Sequence, residues 1–212
     1  MRGGPLPLLS EVMQKRVARR SRNPEARRAA VMVPIAVIDG VPSVVLSVRS
    51  DVVSTHRNEV GFPGGHLESG ETYCEAAYRE AEEELGLKFR EGFCTVDTCE
   101  EILSPSGTVV RPVVTTRTQS LDLVRDVTAS EEVATVFALS VAHLLDPANK
   151  EYRDYGDERG RLPVIHGGPM EIWGFTAFIL DACLENIVRP CWETNLENIV
   201  KPCWETHKEP PP

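Results

Sequence analysis

GHLESGETYCEAAYREAEEELGL, residues 65–87, is the stretch whose reading decides this chain. Thr72 and Glu75 stand as a T-x-x-E capping box, which starts a helix at about Thr72. Ala76, Ala77 and Ala81 are strong helix formers, and Gly86 is a natural stop. Glu80, Glu83 and Glu84 fall at i, i+3 and i+4, so they share one face. Cys74, Ala77, Ala81 and Leu85 make the opposing apolar stripe.

Three carboxylates crowded on one face repel each other. The plain alternative is a charged surface helix. Such a helix would alternate its acids with Lys or Arg, yet Glu80–Glu84 holds no basic residue and only Arg79 precedes it. Hard divalent cations among the carboxylates would make the crowding favourable. All-oxygen donors suit Mg²⁺ or Mn²⁺ rather than Zn²⁺. Ions of that kind bridge phosphates, activate water and stabilise a leaving oxygen.

Outward from this segment, the pattern is mixed. Ala29–Ile38 is an apolar run that reads as a buried strand, and Asp39-Gly40 turns it into Val44–Val48. A short strand at Glu59–Phe62 delivers the chain into Pro63-Gly64-Gly65. Downstream, Phe93–Leu103 and Thr108–Thr116 read as strands around a turn at residues 104–107. Val133–Leu139 is strand-like and leads into a short helix at Ser140–Leu145. Residues 146–161 read as a charged loop, Met170–Trp173 as a strand and Gly174–Ile187 as a closing helix.

This divides the chain into a basic extension at residues 1–28, a domain at 29–183 and a tail at 184–212. The tail repeats itself: LENIVRPCWET at Leu184–Thr194 returns as LENIVKPCWET at Leu196–Thr206. The proline in each copy is expected to break any helix. The tail reads as a duplication without chemistry; the alternative is pairing with a partner chain through its two tryptophans.

Net charge is −9, unevenly spread. Residues 1–30 carry eight Arg/Lys against Glu11 and Glu25, a net of +6 that leaves −15 elsewhere. An acidic body argues against a general nucleic-acid binder but permits a phosphate-bearing small molecule met through metal ions. No apolar run is long enough to span a membrane. The basic, acid-poor start reads equally as a mitochondrial presequence or as an ordinary helix with a solvated basic face. The chain is therefore expected inside the cell, in mitochondria or otherwise in the cytoplasm, with the extension dispensable for its function. The six cysteines form no C-x2-C pair and are expected to be reduced, inert thiols.

The 65–87 segment resembles the Nudix box, G-x5-E-x7-R-E-U-x-E-E-x-G-U, with U aliphatic. Gly65, Glu71, Arg79, Glu80, Glu83, Glu84 and Gly86 occupy its fixed positions, and Ala81 and Leu87 its aliphatic ones. The resemblance implies an α/β Nudix fold, a mixed β-sheet sandwiched between helices. It implies hydrolysis of a diphosphate linkage, with Glu80, Glu83, Glu84 and the Gly65 carbonyl holding the metal. Arg79 and Glu71 are expected to pair and lock the loop onto the helix. The general base is left open between Glu80 and a carboxylate outside the box, with Glu131 and Glu132 ahead of Glu100 and Glu101. Each of those acidic pairs also reads as solvated surface.

The flanks resemble the coenzyme A diphosphatase branch from about Ala29 to Leu180. AAVMVPI at 29–35, LSVRS at 46–50, FPGG at 62–65, SPSGTVVRPVV at 104–114, EEVATVFALSVAHLL at 131–145 and IWGFTAFIL at 172–180 carry the likeness. Arg49, Ser50 and His56 are the substrate-binding residues it implies; Arg49 and His56 also read as plain surface and loop residues. Ser47, Ser54 and Asn58 depart from the branch's upstream pattern, which has threonine, arginine and glycine there. The implied substrate is coenzyme A or an acyl derivative. Alternatives are another nucleoside diphosphate derivative, an RNA 5′ end, or a Nudix module that binds without catalysing.

Overall fold

A computed structural model describes residues 20, 23, 25–52, 58–86, 92–155 and 160–194. His56, Ser54, Leu87, residues 1–19 of the basic extension and the second copy of the tail repeat lie outside the described residues.

The apolar run at the start becomes β1 (Arg28–Ile38), which turns through left-handed Asp39 and Gly40 into β2 (Val41–Arg49). β3 (Val60–Gly61) and β4 (Gly64–His66) are short and precede α1 (Tyr73–Leu85). β5 (Phe93–Thr98), β6 (Ile102–Leu103), β7 (Val109–Ser120) and β8 (Val133–Ser140) complete the main sheet. Its principal path is β3-β2-β1-β7-β5, with β4 also on β1, β6 on β7 and β8 on β2. β1 and β7 run parallel while the other pairs run antiparallel, so the sheet is mixed.

Both faces of β1 are buried, and each faces a helix. On one face Ala30, Met32 and Ala36 meet α1 through Ala76, Ala77, Ala81 and Leu85. Alanines there bring the α1 backbone close to the sheet. On the other face Val33 and Ile35 share a core with Ala177, Ile179 and Leu180 of α3 (Gly174–Cys183). The result is the α/β sandwich that the sequence implied. A short α2 (Val141–Leu145), capped by the Ser140 hydroxyl on His143 N, follows β8.

Three local expectations are corrected. Residues 146–161 are not only a loop: β9 (Lys150–Asp154) pairs antiparallel with β10 (Arg161–Ile165). Met170–Trp173 forms no strand; Ile172 makes one isolated bridge to Ile165. The first tail copy does not break the helix. α3 passes through a π-helical turn (Leu184–Val188) into α4 (Arg189–Thr194). Pro190 falls in the first turn of α4, where a missing N–H and a fixed φ are tolerated. Leu184 and Val188 are buried in the α3-side core.

Candidate active site

The carboxylate helix is fixed at both ends. Thr72 Oγ1 accepts from Glu75 N (3.2 Å) and Glu75 Oε2 accepts from Thr72 N (2.9 Å), closing the capping box. Gly86 ends α1 at φ 62°, donating to Glu82 O, and a Cβ there would strike the Thr128 carbonyl. Only glycine fits both demands. The segment around Thr128 is docked onto the helix end: Thr128 N donates to Leu85 O (2.9 Å) and Ser130 N to Glu84 O (2.8 Å). This brings Glu132, at the foot of β8, towards the carboxylate face.

Arg79 ties the loop before α1 to the helix. It grips Glu71 twice, Nε to Oε1 (2.8 Å) and Nη2 to Oε2 (3.0 Å), and Nη2 also reaches His66 O (3.1 Å). The Glu71 carboxyl is held down to about 2 by these bonds and by the Glu68 backbone N–H. Arg79 Nη1 reaches Glu80 Oε1 (2.9 Å) and Glu83 Oε2 (3.4 Å). Glu71 also accepts from Glu68 N (2.8 Å), which shapes the loop from within.

The three helix-face carboxylates sit in different surroundings. Glu83 is largely exposed. Glu80 presses against Gly65, where a Cβ would collide with its carboxylate. Glu84 is buried. Burial pushes its carboxyl up to about 7, against the pull of Arg49 and the Gly64 N–H, while Glu80 and Glu132 add to the rise. Gly64 is needed for its own reason: a Cβ there would meet the backbone of Ala30 and Val31 in β1.

Arg49 ends β2 beside this cluster, 3.8 Å from Glu132. Its Nε is buried without a hydrogen bond among the described groups. Ser50 is buried; its N–H donates to Glu132 O (2.8 Å) and its hydroxyl accepts from Val52 N (3.3 Å). Asn58 donates its N–H to Arg49 O and sits at φ 56°. That explains the asparagine at a glycine position, because Asn is among the side chains that best tolerate the left-handed region.

Glu80, Glu84, Glu132, Arg49, Gly64 and Gly65 therefore gather at one place. Glu101 does not join them. It accepts from Tyr73 Oη (2.7 Å) and pairs with Arg111 (3.2 Å) at the opposite end of α1. Glu131 is exposed. The donor set suits a hard cation: carboxylates, one of them buried and hard to ionise, beside a glycine backbone held open. Among the described residues no three acidic, histidine or cysteine side chains close a finished ligand shell, and Arg79 bridges two of the acids instead. Beside the loop a cavity of about 600 Å³ opens, lined in part by Arg27, Arg28, His66, Leu67, Glu68 and Gly70. Arg27 and Arg28 fall in the basic extension by sequence; in the structure Arg28 opens β1.

The sequence pattern of the NUDIX domain family matches residues 26–157, more than half of the chain. The protein belongs to the Nudix hydrolases. Its relatives point to one branch. Mitochondrial coenzyme A diphosphatase NUDT8 of Homo sapiens is 34% identical over 173 residues, covering 79% of this chain and 72% of that protein. The Mus musculus protein of the same name is 31% identical over 191 residues, covering 88% and 89%. The crystal structure of RenU, a Nudix hydrolase from M. smegmatis, shares the fold at a TM-score of 0.51 and 19% identity, covering 80% of this chain and 88% of that one. This Nudix hydrolase is thus an enzyme of the diphosphatase class. No helix among its described residues is long and apolar enough to cross a membrane.

Proposed function

We propose that this Nudix hydrolase cleaves the diphosphate of coenzyme A or an acyl derivative, using Mg²⁺ or Mn²⁺. The observation that carries the reading is the surplus of carboxylates around Gly65, joined to the likeness to the NUDT8 proteins. Glu80, Glu83, Glu84 and the Gly65 carbonyl would hold the metal. When bound, the ion supplies positive charge to the diphosphate and lowers the pKa of water.

The chain's own residues do the rest. Arg79 and Glu71 hold the Gly65–Glu71 loop rigid, so that the ligand groups keep their spacing. Arg49 offers a guanidinium to a phosphate oxygen, a grip that lysine would not reproduce with the same two-point geometry. Water attacks one phosphorus and a P–O bond breaks. Glu80 and Glu132 are the proposed acceptors of the proton. Positioning and electrostatics supply the acceleration. From coenzyme A the products are 3′,5′-ADP and 4′-phosphopantetheine. His56 belongs to the same substrate-binding proposal, and Ser50 acts through its backbone tie to Glu132. The basic start and the relatives' names favour a mitochondrial location.

A diphosphate panel with Mg²⁺ tests the reading. Coenzyme A or an acyl derivative should show the highest kcat/KM, above ADP-ribose, NADH, dinucleoside polyphosphates and 5′-capped or triphosphorylated RNA. A higher value for any of the others would move the substrate while leaving the enzyme class in place. No turnover of any diphosphate would favour a binding module.

A further inference from the structure

We propose that Cys99 and Cys183 are a redox pair: a small disulfide such as oxidised glutathione converts them to an internal disulfide that ties α3 to the sheet. The inference is independent of the substrate proposed above.

The two cysteines are 84 residues apart in the chain, and the fold brings their sulfurs to 2.8 Å. Cys99 lies between β5 and β6, and its N–H donates to Pro112 O of β7 (2.9 Å). Cys183 is the last residue of α3 and is only 1% exposed. Cys99 is half-buried and packs against the same core that holds Cys183. One thiol is thus within reach of solvent and the other is not. A disulfide sets its sulfurs at about 2.05 Å, so an approach of less than about 1 Å closes the bond. A metal reading lacks ligands: among the described residues no three His, Cys, Asp or Glu side chains gather to hold an ion. Core packing alone would explain the contact, but not a pair with one reachable member.

The two thiols are unequal in chemistry as well. The Cys183 S–H, donating to Cys99 Sγ, holds the Cys99 thiol below its usual range, against burial and the Asp97 charge. The same bond and burial push the Cys183 thiol well up. Cys99 is therefore the attacking thiol, because the thiolate is the nucleophile. Its sulfur bonds to one sulfur of glutathione disulfide, and one glutathione thiolate leaves. Cys183 then attacks the Cys99 sulfur and expels the second glutathione thiolate. The two protons that the protein thiols give up end on the two glutathiones. Two protein thiols are oxidised and one glutathione disulfide is reduced. The new bond closes a long loop and joins α3 to the segment after β5, the strand that ends the principal path of the sheet. It therefore stabilises the fold.

The test is to incubate the full chain with oxidised glutathione, block the remaining thiols with iodoacetamide and map the peptides of the monomer band from a non-reducing gel. A linked Cys99–Cys183 peptide should appear, and dithiothreitol should remove it. The linked protein should gain at least about 5 °C in Tm over the reduced one. Cys99→Ser should abolish the link and the gain and leave Cys183 unmodified. Cys183→Ala should stop at one glutathione on Cys99, without the gain in Tm. That stalled adduct is a signature that core packing would not produce. No linked peptide under a large excess of glutathione disulfide would overturn the inference and leave the contact as packing. So would a link between chains, a link to another cysteine in its place, or a linked protein no more stable than the reduced one. Glutathione on Cys183 in Cys99→Ser, with none on Cys99 in Cys183→Ala, would overturn the order of attack. Should Cys183→Ala fail to fold, the wild-type link and Cys99→Ser decide the matter.

Discussion

Two ion clusters in this molecule look alike until their charges are counted. One joins the β9–β10 hairpin to α3 and the turn beyond it. There Lys150 and Arg189 meet Asp181 and Glu185, with Lys150 Nζ 2.5 Å from Asp181 Oδ1 and Arg189 bonding Glu185 twice. Burial pulls the Lys150 ammonium down, but the Asp181 bond and charge carry it above its usual value. The other cluster surrounds α1. There Arg79 and Arg49 face Glu71, Glu80, Glu83, Glu84 and Glu132. Among the described residues the first cluster is balanced in charge. The second has an acidic surplus and leaves Glu84 ionised only with difficulty. Balanced buried charge holds structure; unbalanced charge beside an open glycine backbone asks for a cation.

The sharpest way to break that contrast is at the balanced cluster. The Asp181 side chain is only 3% exposed and that of Lys150 10%. Asp181→Ala would leave the buried Lys150 ammonium with only the longer contact to Glu185 (3.4 Å) and should cost about 3 kcal/mol of stability. Urea unfolding would read it, and the loss should be the same with Mg²⁺ or EDTA. A metal-dependent loss would mean the clusters are not separate in kind.

At the acidic cluster the sign reverses. The Glu84 carboxyl titrates at about 7 when folded, against 4.5 as its ordinary value. Between those pH values the folded chain keeps a proton that the unfolded chain has released. Stability therefore falls as pH rises through this window, by about 3 kcal/mol at most. Glu84→Gln should raise the Tm of metal-free protein at pH 8 by up to roughly 6–12 °C. The gain should vanish near pH 4.5. A Tm lowered by the substitution at pH 8 would contradict the picture of a strained carboxylate.

A smaller effect separates the cluster's two arginines. Arg79 is committed to Glu71, whereas Arg49 stands near Glu132 with its Nε unbonded. Arg49→Ala should raise KM for coenzyme A about tenfold and change kcat less, the pattern of lost uniform binding. Unchanged kinetics would leave Arg49 as a counter-charge to Glu84 and Glu132 only.

What could be read in the sequence tracks how local each signal is. The capping box at Thr72 and Glu75 and the stop at Gly86 are complete within a few residues, so α1 was legible almost to the residue. The apolar runs of β1 and β8 were legible for the same reason. The β9–β10 hairpin was not, because β9 is largely exposed and its charges suit either a loop or a strand. Nor was β4, since Gly64-Gly65 reads as a turn until β1 pairs with it. Pro190 hid the helix beyond α3, because a π-helical turn that resets the start of a helix leaves no pattern in composition. At the site, periodicity placed Glu80, Glu83 and Glu84 on one face but not their unequal burial. That depends on the Gly64–Gly65 backbone and on the segment from Thr128 to Glu132, which are distant in sequence from one another.

The central claim is that the acidic surplus on α1 holds the metal that hydrolysis needs. Mn²⁺ binding, read by electron paramagnetic resonance, together with Mg²⁺-dependent turnover of coenzyme A, tests it in wild type, Glu83→Gln and Glu84→Gln. Each variant should keep its fold, bind Mn²⁺ at least about tenfold more weakly and lose at least about 100-fold in rate at saturating Mg²⁺. Near-normal turnover in both variants, or wild-type turnover untouched by EDTA, would contradict the account.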